Sequence, residues 1–494
     1  MEILFKNEVE QKISLKEYIA YFSYGLGEVT NYAMVGTYLT IFYTDYLMIS
    51  ASIAGIIFLI ARVWDAINDP MMAAIIDCTN SSKGKFRYWM KWVPIFIVLT
   101  TILTFIPWDM KGGVLIGVAG ISYILWGMVY TVSDVPFWSL STVMSNNALE
   151  RAKAVTVANT GVSIGFLIPP LIVPILSKYI GVEFLGYSMN DNAAFVQGLP
   201  YTIIIISMIT LPLMIFGYLG TKERRNAHVE KVKIKDMLGT VKNAKPLFLI
   251  SIIFMLLAFT ELSNALMVYF FIVNLGDISY QSTITFFSMF SFALLVFYPI
   301  LLKYLKKKNL LQLQLVIDTI LRLFLFIVGY DNPLIVVIVL IALKYFETII
   351  APIIPNMIGE CVEYCEYKTG KRTEGIVFSF QTFSGKLKTA IALGLSGFVL
   401  TWIGYTPDIV KQNQDVVEWL FIICILVPIV GNILRIILLR CVRYTEDEYN
   451  LVVRYLNYKY EKIEALELKD ELKIASCDKN MNLIKSELTN KGLE

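Results

Sequence analysis

The chain has 494 residues, of which 56% are hydrophobic and only 17% charged, and its mean hydropathy is +0.63. This balance lies outside the range of soluble domains and argues against a string of soluble enzymes. The net charge of +3 matters less than its distribution, and no nucleic-acid partner is expected.

About twelve apolar segments of about 20 residues each can be counted, each long enough to span a bilayer. The expected fold is an all-α membrane protein with twelve transmembrane helices in two six-helix halves. Residues 1–16 are polar and charged, without the apolar core of a cleavable signal peptide, and read as a cytoplasmic segment. The N-terminal half is expected over 17–220. Its first span, 17–46, contains Tyr24-Gly25-Leu26-Gly27-Glu28. These glycines have no third partner and no preceding strand, so close helix packing is the better reading than a nucleotide loop. Glu28 is an acid within that span, and its role is open.

The second span, apolar over 53–76, carries Ala61-Arg62-Val63-Trp64-Asp65-Ala66-Ile67-Asn68-Asp69-Pro70. Ionisable groups inside a membrane span are expensive and mark a functional site. Asp65, Asn68 and Asp69 stand at i, i+3 and i+4, so they share one helical face. Two carboxylates and an amide oxygen suit a small hard cation. Arg62 lies one turn earlier, so one monovalent cation plus Arg62 would balance both acids; a closed Arg–Asp lock without an ion is the alternative.

Further spans follow at 89–106, 114–143 and 154–177, and a sixth ends near 220. Gly161-Val-Ser163-Ile-Gly165 matches a nucleophile elbow, but it sits in an apolar segment, and the sole histidine, His228, lies elsewhere. No HExxH, Walker or paired-cysteine motif is present, so no enzyme is expected. Cys361 and Cys365, one turn apart, lack zinc spacing, and no cofactor is expected beyond a coupling ion.

Residues 221–245, rich in Lys and Arg, form a cytoplasmic linker between the halves. The C-terminal half, 246–441, has spans near 246–274, 282–302, 310–329, 333–357, 375–402 and 417–440. Basic loops at Lys303–Lys308 and at Lys368, Lys371 and Arg372 alternate with loops nearly free of Lys and Arg. The positive-inside rule then places both termini and the linker in the cytoplasm, and the protein in the plasma membrane. The tail, 442–494, opens on a capping box at Thr445-Glu-Asp-Glu448 and reads as a solvated cytoplasmic helix.

Phe42-Tyr43-Thr44-Asp45, the 61–70 segment, Tyr123-Ile124-Leu125-Trp126-Gly127-Met128, Asp134-Val135-Pro136-Phe137-Trp138-Ser139 and Tyr367-Lys368-Thr369-Gly370-Lys371-Arg372 resemble the glycoside–pentoside–hexuronide:cation symporters of the major facilitator superfamily, the group that includes melibiose permease. The resemblance covers about 21–405. It implies a monovalent-cation site at Asp65, Asn68, Asp69 and Thr131. It also implies a substrate site containing Asp134, Trp138, Gln381, Thr382 and Lys386. The family's first-helix Lys-Asp pair falls on Asn31-Tyr32, its fifth-helix arginine on Asn159 and a tenth-helix tryptophan on Ala351. Tyr32 and Asn159 therefore take the place of sugar contacts, and an α-galactoside becomes a poor candidate. Other glycosides, pentosides or a uronide fit better.

The expected function is symport of such a sugar with Na⁺, Li⁺ or H⁺ by alternating access about a midplane site. Thr131 and Asp134, at i and i+3, allow one face of the fourth helix to touch cation and substrate. Charged contacts of Asp77 with 83–87, and of the 360–372 segment, are candidates for holding one state closed, with ordinary topogenic charge as the alternative. A sodium-coupled lysolipid carrier and a non-transporting sugar sensor are the other readings. The bilayer is the expected environment, with no obligatory protein partner.

Overall fold

The computed structural model describes residues 12–79, 84–145, 147–188, 192–224, 244–370, 374–407, 412–468 and 470–491. At 66, 67, 69, 70, 73, 74, 77 and 78 only the backbone is described, so the side chains of Asp69 and Asp77 lie outside it, as do Lys83, His228, Lys371 and Arg372. The described residues form helices joined by turns and short connections, without strands.

The first six spans are α1 (Leu15–Ile41), α2 (Ala51–Cys78), α3 (Lys85–Thr104), α4 (Gly112–Leu140), α5 (Ala148–Glu183) and α6 (Asn192–Gly220). The next six begin with α7 (Lys245–Met255), broken just before α8 (Ala258–Val273), and α9 (Ser279–Met289), which runs through a 3₁₀ stretch into α10 (Tyr298–Tyr304). They continue with α11 (Lys307–Val328), α12 (Pro333–Ile350) leading into α13 (Ile353–Thr369), α14 (Glu374–Trp402) and α15 (Gln414–Cys441). Ten helical stretches among the described residues are long and apolar enough to cross a membrane. With α1 and α2, at 27 and 28 residues, they make the expected twelve.

Ser14 starts α1 through a capping box with Glu17, a signal legible in Ser14-Leu15-Lys16-Glu17. α1 then runs between α5, α6 and α4, and glycines permit its close approach. A Cβ on Gly161 would stand 2.4 Å from the Phe22 carbonyl oxygen, and one on Gly165 2.8 Å from that of Leu26. The elbow-like motif is thus a helix-packing notch, as small residues serve in membranes. Gly27 does the same against Met214 and Thr210 of α6. Tyr21, Tyr24, Met90, Phe137 and Met214 fill the core beneath.

The chain forms two compact units. The first gathers α1–α6 with Asn264–Met289 and Ala390–Phe421. Within it, the end of α1 far from the N-terminus opens into a single π-helical turn, Phe42–Tyr46. There Thr44 Oγ1 lies 2.8 Å from the Tyr269 hydroxyl, Tyr405 donates to Asp45, and Tyr38 donates to Gln281 at 3.1 Å. At the opposite end, Glu223 accepts from the backbone N–H groups of Lys85, Phe86 and Arg87 at 2.9, 2.8 and 2.6 Å. That carboxylate caps α3, and the φ of +99° at Gly84 leaves room for it. Arg224 bridges Glu17 at 2.8 Å and the Met144 carbonyl, also at 2.8 Å. The start of the linker is therefore folded onto the first half.

The second unit contains Glu230–Ser263, Phe290–Thr389 and Ile422–Glu494. Two readings of the sequence change here. The 333–357 span does not stop where its apolar run does; helix continues to Thr369 and ends on Gly370 at φ +71°. The tail is also not a solvated helix. Two helices, α16 (Glu446–Glu467) and α17 (Glu471–Asn490), pack together and against α13. Leu451, Val452, Leu456, Ile484 and Leu488 join the core of Met357, Ile358, Cys361 and Cys365. Tyr460 donates to Glu366, Tyr444 to the Glu360 carbonyl at 3.1 Å, and Lys306 pairs with Asp447 at 2.6 Å. The apolar stripes of the two ends match, so docking removes both from water. The capping box at Thr445 and Glu448 forms as expected. Burial pushes the Glu448 carboxyl up, but hydrogen bonds from Thr445 and Lys491 outweigh it and hold it at about 2. Its folded value is depressed, so the stability it adds is present above the ordinary carboxylate range and is lost as pH falls toward 2.

Candidate functional site

Arg62 Nη1 meets Asp65 Oδ2 at 3.1 Å, with side chains 10% and 14% exposed. The i, i+3 spacing predicts this pair, and the aromatic walls of α1 and α4 enclose it. Arg62 also faces the phenols of Tyr32 and Tyr123. Asn68 is buried on the same helix, its Nδ2 without a hydrogen-bond partner. α4 approaches α2 through a glycine: a Cβ on Gly127 would lie 3.0 Å from Asp65 Oδ1. Thr131, one turn further, is buried and donates to the Gly127 carbonyl at 3.2 Å. Asp65 and Gly127 thus meet at the α2–α4 contact, with Asn68 and Thr131 each one turn further along its own helix. Carboxylate, amide and hydroxyl oxygens there are the hard donors a small cation takes.

One turn beyond Thr131, Trp138 Nε1 donates to Asp134 Oδ1 at 3.0 Å. An aromatic ladder leads up to this aspartate. Tyr123 stacks on Trp126 at 5.8 Å and Trp126 on Tyr130 at 5.5 Å. Tyr32 packs on Trp126 and Tyr130 at 5.9 and 4.8 Å, with Phe166 edge-on at 6.0 Å. An apolar wall with one acceptor anchored beside it is the usual make-up of a small-molecule pocket. Asn31 turns the other way, donating to the Gly27 carbonyl at 2.8 Å and to Thr210 Oγ1 at 2.7 Å, so it ties α1 to α6. Asn159 is exposed and donates to the Val155 carbonyl at 3.0 Å.

The second unit holds Gln381, Thr382 and Lys386 on α14. Gln381 Oε1 is buried without a hydrogen-bond partner, Thr382 is exposed and Lys386 is half-buried. Around them lies a charged network that sequence reasoning missed. Lys388 meets Glu261 at 2.7 Å, Lys344 meets Glu347 at 2.8 Å, and Asp318 accepts from Arg322 at 2.8 Å and from Asn432 at 2.6 Å. Arg435, 5% exposed, interacts with Asp318 and Glu347. The rule that singled out α2, an ionisable group inside an apolar span, would have found every one of them.

Among the described residues, twelve membrane-length helical spans with two polar centres inside them make a multi-pass α-helical membrane protein. The chain belongs to the family of MFS/sugar transport proteins, whose pattern it matches over residues 23–446. It is 29% identical over 460 residues to the uncharacterized symporter YnaJ of Bacillus subtilis (strain 168), covering 91% of this chain and 96% of that protein. It is 28% identical over 422 residues to the isoprimeverose transporter of Lactiplantibacillus pentosus, covering 83% and 85%. The fold resembles the inward-facing, unoccupied structure of a bacterial homolog of the human lysosomal transporter Spinster, with TM-score 0.62, 11% identity and coverage of 86% and 96%. The protein is a membrane sugar transporter of the major facilitator superfamily.

Proposed function

We propose that this protein carries out cation-coupled symport of a glycoside, pentoside or hexuronide, in the plasma membrane with both termini cytoplasmic. The observation that carries the reading is the shared face of α4. Gly127 meets Asp65 at one end, Thr131 follows one turn on, and Asp134 stands fixed by Trp138 at the other. Asp65, Asn68, Asp69 and Thr131 are the residues that would hold Na⁺, Li⁺ or H⁺; the bound cation supplies positive charge that Arg62 alone does not. Asp134 accepts substrate hydroxyls while Trp138 fixes its rotamer, and the partly buried Tyr32 and Tyr130, backed by Trp126, receive the apolar faces of the sugar ring. Because Thr131 and Asp134 share one turn of α4, a displacement of Thr131 on cation binding also displaces Asp134. Such a differential interaction is what coupling between two ligands requires.

The test is uptake of labelled sugars into membrane vesicles with and without an inward sodium gradient. The panel includes isoprimeverose, which one relative is named for, and a hexuronide. Accumulation above equilibrium with a sodium or proton gradient supports the reading. Binding without accumulation would indicate a sensor, and uptake of a lysolipid in place of every sugar would indicate a lipid carrier.

A further inference from the structure

The mechanism above leaves Glu28 of α1 unused. Its side chain is 0% exposed, and neither Oε1 nor Oε2 has a hydrogen-bond partner. It faces Ser133 and Asp134 of α4. The other titratable groups around it are Tyr130 of α4 and Tyr21 and Tyr24 of its own helix. α5 and α6 meet this turn of α1 with Gly165, Thr210 and Met214. Of the nearby hydroxyls, Tyr21 donates to the Phe137 carbonyl at 2.6 Å, and Tyr24 and Ser133 share one hydrogen bond at 2.8 Å. Among the described residues this leaves Ser133 as the only side chain close enough to offer Glu28 a proton, and no base beside it. The charge beside Glu28 is therefore another carboxylate, and that carboxylate is the proposed sugar acceptor.

A structural acid buried this deeply would have its oxygens satisfied, and one that does not calls for an explanation. An ionised carboxylate without partners is not sustained in a dry interior; it takes up a proton instead. Two adjacent carboxylates in such a site hold one negative charge between them.

We propose that Glu28 is a proton-binding site facing Asp134, separate from the oxygen cluster of α2. Its proton leaves the shared charge on Asp134, where sugar hydroxyls can use it. Substrate bound at Asp134 in turn keeps the proton on Glu28, because coupling between two ligands is reciprocal. With the side chain sealed, proton exchange requires this turn of α1 and α4 to open, so uptake and release are tied to the transport cycle.

The proposal is tested by infrared difference spectroscopy on the purified full-length protein in lipid nanodiscs, without any sugar. The wild type is expected to show the carbonyl stretch of a buried protonated carboxyl group at neutral pH. Glu28→Gln should lose that band entirely and keep its helical content, whereas Glu28→Asp should retain it at a shifted frequency. Identical carboxyl regions in the wild type and both variants would mean that Glu28 is ionised, and would overturn the proposal. If the glutamine variant does not fold, the shift in Glu28→Asp decides alone. No substrate enters the measurement, so its outcome is independent of whether sugar symport holds.

Discussion

In the second unit, Glu261 meets Lys388, Glu347 meets Lys344, and Asp318 is gripped by both Arg322 and Asn432. In the first unit, Asp65 has one oxygen on Arg62, Asp134 accepts from the neutral indole of Trp138, and Glu28 makes no hydrogen bond. Both sets lie within apolar helices, where a charge without a role is selected against. The second unit pairs each of these acids with a base, and the buried Asp318–Arg322 pair acts as a frame. The first sets Asp65 and Asp134 among phenols, an indole and one guanidinium, and there a cation, a proton or sugar hydroxyls can add to the electrostatics. Substitutions should therefore show as lost stability in the second unit and as lost ligand binding in the first.

The largest effect is expected at Asp134. A site built to hydrogen-bond a ligand discriminates by on the order of 10⁴-fold when that bond is removed. Asp134→Ala should abolish binding of every sugar the wild type binds, measured by ligand-induced thermal stabilisation, while the unliganded protein melts near the wild-type temperature. Unchanged sugar affinity would remove Asp134 from the site. Gross destabilisation would make it a structural residue like those of the second unit.

Asp318→Asn should show the opposite pattern. It strands Arg322, whose side chain is 7% exposed, beside the buried Asn432. Removing one partner of a buried pair costs about 3–5 kcal/mol. The melting temperature in detergent should fall accordingly, and affinity for a neutral sugar in the surviving folded fraction should not change. Replacing both members of the pair with apolar residues should recover part of the loss, because Arg322 is then no longer stranded and Arg435 keeps Glu347. A single variant as stable as the wild type would end the comparison between the units.

The parts of this design that follow from spacing or composition are legible in the sequence itself. Long apolar runs mark the twelve spans, and i, i+3 spacing brings Arg62 to Asp65. The nucleophile-elbow reading of Gly161 and Gly165 fails on the sequence alone because the segment around them is apolar, and the small-residue reading of Gly27 is the packing signal that the sequence does carry. The Glu261–Lys388 pair joins residues far apart in the chain, and no periodicity announces such a partner. Asp318 and Arg322, at i and i+4, are visible by the rule applied to α2, but no motif around them draws the eye. The docked tail is hidden for a different reason. The stripe of Leu451, Val452 and Leu456 looks the same whether it faces water, another copy or α13, and only the tertiary fold distinguishes these. For the same reason Asn31 and Tyr32, adjacent in the chain, carry no sign of their separate fates. One points at α6 and the other at the aromatic ladder.

The smallest effect on stability is expected at Glu347, where the comparison is sharpest. Lys344 and Glu347 form an i, i+3 pair on α12, and their side chains are 42% and 46% exposed. A charged pair turned toward lipid would be costly, so exposure within an apolar helix argues for a water-lined face. An exposed pair contributes about 0–1 kcal/mol, so Glu347→Gln should melt within that margin of the wild type. Its consequence is electrostatic. Arg322, Lys344, Lys388 and Arg435 exceed Glu261, Asp318 and Glu347 by one charge, and the substitution widens the excess. If the transported sugar is a uronide, its carboxylate should bind tighter by on the order of 1 kcal/mol at the effective dielectric of such a face. A neutral glycoside should be unaffected. Measuring thermal stabilisation by a glucuronide and by its neutral counterpart separates the two. Equal shifts for both ligands would detach this network from the substrate, and a loss of several kcal/mol in stability would class Lys344 and Glu347 with the buried frame.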